Sequence, residues 1–204
     1  MVRRPSVIAA GFVVIAAVGA AHAADASVYD WTGFYAGVYG GLGAVAFSAD
    51  GNGDFATGTG VLAGGAASYQ QQLDNIVFGV DGEIGLTGIA DRYDAGVVPD
   101  GGNIQLDVLG SLRARLGFAV GQVQIYGTGG VGFGRVSDSF GGALDAQWMS
   151  GWTAGLGAAY AVTDAISVDV QYLHTELGPV TFFGGALRES ARADTVTTGI
   201  NFHF

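Results

Sequence analysis

The chain contains no cysteine and no lysine, only 3 prolines, and charged side chains at just 13% of its 204 positions. Each shortage excludes something. Without cysteine there is no disulfide framework, no thiolate nucleophile and no thiolate metal site. The 8 basic residues are all arginine and stand against 18 acidic ones. The resulting net charge of −10 leaves no basic face for nucleic-acid phosphates, which such binding requires. With so few charges a soluble domain could not coat its exterior. Disorder is excluded from the opposite side, because 50% of the residues are hydrophobic and disordered chains are poor in apolar residues. What is abundant is glycine, 37 residues dispersed among aromatics, which suits strands that bend and pack closely.

The longest apolar run stands at the N-terminus. Arg3 and Arg4 precede apolar residues 7–21, and Ala21-His22-Ala23 follows as a small-x-small cleavage site. Residues 1–23 therefore read as a signal peptide cut between Ala23 and Ala24, with 24–204 as one barrel domain. An uncleaved anchor is the alternative, but the run is short and abruptly ended for a membrane helix.

After that run the pattern has period two. Strands are expected at 31–45, 59–70, 76–86, 104–120, 123–136, 148–162, 166–177 and 194–204. In the fourth, Ile104, Leu106, Val108, Leu112, Ala114, Leu116, Phe118 and Val120 share one face, opposite Gln105, Asp107, Ser111, Arg113 and Arg115. In the third, Ile76, Phe78, Val80, Ile84 and Leu86 oppose Asp81 and Glu83; in the seventh, Ile166, Val168, Val170 and Tyr172 oppose Ser167, Asp169, Gln171 and Thr175. In the eighth, Val196, Ile200, Phe202 and Phe204 oppose Thr195, Thr197, Asn201 and His203. One apolar face at this period marks a strand. The first two strands are too rich in Gly and Ala to assign faces.

Connections 71–75, 121–122 and 163–165 are short, whereas 46–58, 87–103, 137–147 and 178–193 are long and polar. That alternation predicts an all-β fold, an eight-stranded antiparallel up-and-down transmembrane β-barrel with short periplasmic turns and four outer loops. Phe78, Phe118, Tyr160, Phe202 and Phe204 fall where a periplasmic aromatic girdle belongs. A soluble sandwich or lipocalin-type barrel would need charge outside, and charge is too scarce.

Three segments carry a resemblance. Trp31-Thr32-Gly33-Phe34-Tyr35-Ala36-Gly37 is similar to a W-x-G-x-Y-x-G first strand, and Phe78-Gly79-Val80-Asp81-Gly82-Glu83 to an F-G-V-E-G-D third strand. Thr197, Gly199, Phe202 and Phe204 resemble the C-terminal signal read by barrel assembly machinery. Together they resemble the small outer-membrane β-barrel proteins of Gram-negative bacteria, within the OmpA-like eight-stranded superfamily. The resemblance implies an outer-membrane location, contact with outer-membrane lipid and lipopolysaccharide, and delivery by periplasmic chaperones to the assembly machinery. Host or surface ligands of the loops stay open.

Motifs for chemistry are sparse. Gly127-x-Gly129-x-x-Gly132 has the letters of a dinucleotide fingerprint, but Val131 and Phe133 continue a strand where that motif needs a helix. Beyond the leader only His174 and His203 remain, a poor basis for zinc. Some outer-membrane barrels are lipid hydrolases with a His-x-Ser pair; here the triplet is His174-Thr175-Glu176, without serine. Asp50-x-Asn52-x-Asp54 begins like a calcium loop but lacks its remainder. No catalytic, cofactor or metal residue is therefore assigned.

The informative set is Asp81, Glu83, Asp107, Arg113, Arg115 and Asp169 on the polar strand faces. A barrel of ~8 strands has room for side chains but hardly for a channel. These charges are expected to form a lumen network, with residue 81 opposite 113 or 115. A structural, surface-exposed barrel is the first expectation, a narrow porin-like channel the second, and a lipid-modifying enzyme the third.

Overall fold

The computed structural model describes residues 29–49, 53–92, 103–140, 143–182 and 187–204. Residues 1–28, which include Ala21 and Ala23 of the expected signal peptide, lie outside them, as does Asp50-x-Asn52. Eight antiparallel strands follow in order: β1 Gly33–Ala49, β2 Gly53–Leu73, β3 Ile76–Arg92, β4 Asn103–Val120, β5 Val123–Phe140, β6 Ala143–Thr163, β7 Ile166–Phe182 and β8 Leu187–His203. Each pairs with its neighbour in sequence, and β8 pairs with β1 to close the barrel. There is no helix among the described residues. Closure leaves no strand edge unpaired, the condition for strands to cross lipid.

The three short connections are tight turns after β2, β4 and β6. In the first two, Asp74 and Gly121 adopt positive φ, 53° and 57°, as primed hairpin turns do. Outward from this turn end, each strand shows lipid an apolar row: Phe34, Val38 and Leu42 on β1; Ile76, Phe78, Val80, Ile84 and Leu86 on β3; Leu112, Leu116, Phe118 and Val120 on β4. The Gly- and Ala-rich first strands resolve the same way, with Tyr35, Tyr39, Val45 and Phe47 turned inward.

Two expectations need correction. The strands are longer than their apolar outward faces, and β5 and β6 run to Phe140 and from Ala143 through most of the expected loop 137–147. The same extension takes β1 to Ala49, β3 to Arg92 and β7 to Phe182. Beyond the apolar belt the pattern turns round: Phe47, Ile89, Ile104, Leu106 and Val136 point inward and polar residues outward. Asp- and Gly-rich sequence with its apolar residues inside does not announce itself as membrane strand.

The second correction is on β4. Ile104 and Leu106 do not share the outward face of Leu112; both are fully buried in the lumen. Asp107 is the extra residue of a bulge against β5, between Leu106↔Val136 and Val108↔Arg135, and it inverts the parity of everything beyond it. Thr87 on β3 patches this irregularity. Its hydroxyl donates to the Leu106 carbonyl and accepts the Ile89 amide at 3.4 Å.

Candidate functional site: the lumen charge network

The lumen has three levels. At the turn end Trp31, Tyr35, Val77, Ala119, Tyr126, Ala159 and Ala161 pack into one apolar cluster. The segment before β1 closes this mouth from below. The Tyr29 amide reaches the Gly121 carbonyl at 3.3 Å, on the far side of the barrel, and Trp31 is 1% exposed. Tyr29 Oη lies 3.0 Å from His203 Nδ1, and the His203 ring stacks on Tyr35 at 4.5 Å. Thr32 donates its amide to Asp30 Oδ1 at 2.8 Å, and that bond holds the Asp30 carboxyl below the usual carboxylate range. At the other end Phe47, Ile89, Ile104, Leu106, Val136, Met149 and Leu177 belong to a second apolar cluster.

Between the two lies the charge network. Arg113 meets Glu83 as a fork: Nη1–Oε1 is 2.8 Å and Nη2–Oε2 is 3.0 Å. Arg113 Nε also donates to Thr128 Oγ1 at 3.3 Å, and Nη1 to Ser111 Oγ. Arg115 Nε donates to Asp81 Oδ2 at 2.8 Å, and its Nη1 to Gln124 Oε1 at 3.2 Å. The Arg115 guanidinium carbon sits 3.6 Å above the Tyr126 ring, an arrangement in which ring quadrupole and cation attract. Gln124 passes a hydrogen bond to Gln70 Oε1 at 3.0 Å, and Gln171 Nε2 donates to Glu83 Oε2 at 2.9 Å. The network thus ties β2, β3, β4, β5 and β7 together across the lumen.

Asp169 lines the same space and accepts from Asn201 Nδ2 at 2.7 Å. Gly199 makes room for it, since a Cβ there would lie 2.7 Å from Asp169 Oδ1. Asp107 stands apart: as the bulge residue it accepts from Ser137 Oγ, far from Arg113. Thr197 is buried in the lumen, whereas Phe202 and Phe204 project outward. Free space among the charges amounts to about 40 Å³, enough for a water or two. Among the described residues no group of three or more His, Asp or Glu is arranged to hold a metal.

The two apolar clusters escaped sequence reasoning. The signal for the outer one existed in Phe47, Ile89 and Val136, apolar residues lying beyond the regular outward rows. The signal for the inner one was Trp31, which reads as strand yet precedes β1.

The family model described as outer membrane protein beta-barrel domain matches residues 10–204. A 31 kDa outer-membrane immunogenic protein of Brucella melitensis biotype 1 is 31% identical over 94% of this chain and 91% of its own length. A 25 kDa outer-membrane immunogenic protein of Brucella abortus biovar 1 is 30% identical over 86% of this chain and 80% of its own. Among solved structures, Neisserial surface protein A covers 85% of this chain and 98% of its own, with TM-score 0.53 and 21% identity, a likeness of fold. Closed eight-stranded topology, an apolar outward belt and these relatives agree: the chain belongs to the outer membrane protein β-barrel family and resides in the outer membrane.

Proposed function

We propose that the protein is a structural, surface-exposed barrel with a sealed lumen, adding to envelope integrity and presenting its outer connections to the surroundings. The observation that carries this is the sealing. An Arg113–Glu83 and Arg115–Asp81 lock lies between two apolar clusters, and the cavity among its charges measures about 40 Å³. A hydrated ion would have to displace Phe47, Ile89 and Leu106 at one end and Trp31 at the other. The Brucella relatives are named as immunogenic proteins of the outer membrane, which supports surface exposure. In this reading the barrel contacts outer-membrane lipid and lipopolysaccharide, and reaches its place through periplasmic chaperones and the barrel assembly machinery.

The narrow channel is disfavoured by the same sealing. The lipid-modifying enzyme is disfavoured by chemistry, because Glu176 stands where a nucleophilic serine would follow His174. Planar-bilayer recording of the refolded protein is expected to show a flat baseline. Reproducible unitary steps would replace the sealed barrel by the channel. Incubation with lipid A is expected to leave its acyl chains unchanged, and shortened products would establish the enzyme.

A further inference from the structure

The apolar belt is not level. Ile84 and Val131 stand eight residues past the first residues of β3 and β5, Ile76 and Val123, and both face lipid. Two residues further on, Leu86 and Phe133 hold the next outward places. The corresponding places on β7, counted from Ile166, are His174 and Glu176, and across the ladder from them on β8 are Asp194 and Arg192. On β7 and β8 the belt thus ends lower, beside Trp152 of β6, and a polar notch opens at a height where the opposite wall is apolar.

The notch is organised. Tyr172 Oη donates to Asp194 Oδ1 at 2.6 Å, and His174 Nδ1 lies 2.8 Å from the same oxygen. Trp152 Nε1 donates to Glu176 Oε2 at 3.0 Å, and His174 Nε2 is 3.8 Å from Glu176 Oε1. The Trp152 and His174 rings are 5.3 Å apart. Glu176 fixes the indole edge while the Trp152 residue stays 48% exposed. Both carboxylates, at 49% and 43% side-chain exposure, keep acceptor capacity for further donors.

We propose that this notch seats the saccharide headgroup of an outer-leaflet glycolipid. An aromatic face held at its edge offers a platform for the C–H face of a pyranose. Glu176 and Asp194 accept from ring hydroxyls, and His174 and Arg192 stand beside them for an anionic substituent. Acyl chains hanging from such a headgroup continue down the belt over Leu156, Val170 and Val196, the outward residues below the notch. A phospholipid headgroup has no pyranose face to lay on Trp152 and too few donors to engage both carboxylates together. The inference rests on the outer-membrane location and gives the lipopolysaccharide contact an address.

The test is native mass spectrometry of folded protein released from nanodiscs of phosphatidylglycerol with added rough lipopolysaccharide. Trp152→Ala and the double variant Glu176→Gln/Asp194→Asn are compared with wild type and with Ile84→Ala, at the same height on β3. Wild type and Ile84→Ala are expected to retain lipopolysaccharide about tenfold more strongly than either notch variant, with phosphatidylglycerol retention equal in all four. The free core oligosaccharide is expected not to bind, which separates a lipid-borne headgroup from a free sugar. Equal retention by notch variants and wild type overturns the proposal, as does equal loss in Ile84→Ala. Heat-modifiable migration confirms folding, and Trp152→Leu substitutes if Trp152→Ala does not fold. A flat-baseline failure in the bilayer recording would leave this result untouched, so the two readings fail separately.

Discussion

Asp81 lies directly across the β3–β4 ladder from Arg113, yet its ion pair is with Arg115, one same-face position nearer the turn end. Arg113 in turn passes over Asp81 to fork onto Glu83, which stands opposite Ser111. Both arginines lean diagonally in the same sense, so neither carboxylate is shared and each pair is held separately. Diagonal neighbours on one strand face are within reach of long side chains.

Arg113→Ala is expected to lower stability by about 3–5 kcal/mol, because it leaves Glu83 buried without its partner. Arg135→Ala, on the exposed outward side of β5, should change little. Urea unfolding in detergent, followed by tryptophan fluorescence, compares the two. Equal midpoints would remove the lock.

Much of this network was legible in the sequence. Alternation put Asp81, Glu83, Arg113 and Arg115 on one side, and the length of the β3–β4 connection brought the pairs into register. Asp107 was not legible as an outsider. Period-two reasoning propagates parity along a strand, and a bulge resets it without any marker in composition. The outer half of the barrel failed for a related reason. Its apolar residues, Phe47, Ile89 and Ile104, face inward as in a soluble barrel, so a search for outward apolar faces ended each strand too soon.

The Thr87 hydroxyl is the patch on that bulge, donating to the Leu106 carbonyl and accepting from the Ile89 amide. Thr87→Val keeps the shape and removes the hydroxyl. A buried carbonyl and amide left without that partner are expected to cost about 1–3 kcal/mol. Hydrogen exchange should show the loss concentrated at Ile89 and its neighbours, and unchanged protection there would assign the bulge other support.

Trp31 closes the turn-end mouth, and Trp31→Ala should cost about 3–5 kcal/mol as a large buried ring is lost. Conductance should nevertheless stay at baseline, because Phe47, Ile89 and Leu106 still seal the other end. A variant that unfolds more easily but conducts nothing is the expected combination. Steady current through Trp31→Ala alone would show that one apolar cluster is not a seal.

Export is expected to remove residues 1–23. N-terminal sequencing of the envelope protein should begin at Ala24; a protein beginning at Met1 would be held by an uncleaved anchor instead.

Phe204→Ser is expected to block assembly while leaving export intact. The Phe204 amide donates to the Phe34 carbonyl at 2.9 Å, so the last residue completes the β8–β1 seam. That hydrogen bond is made by backbone and survives the substitution. What is lost is the ring, which is 79% exposed and points to the lipid side at the turn end beside Phe202, where aromatic rings anchor at the membrane boundary. The ring also ends the segment resembling the signal for the assembly machinery. A defect in the seam alone would give a barrel that inserts and then unfolds easily. A defect in recognition would give cleaved protein that never reaches the membrane. Fractionation separates these outcomes, and the expected result is cleaved Phe204→Ser in the periplasm, degraded or aggregated, with little in the outer membrane. Phe204→Tyr keeps an aromatic ring and should assemble. Wild-type amounts of folded, surface-exposed Phe204→Ser would show that recognition depends on other residues, with Thr197 buried in the lumen and Phe202 outside as the remaining candidates.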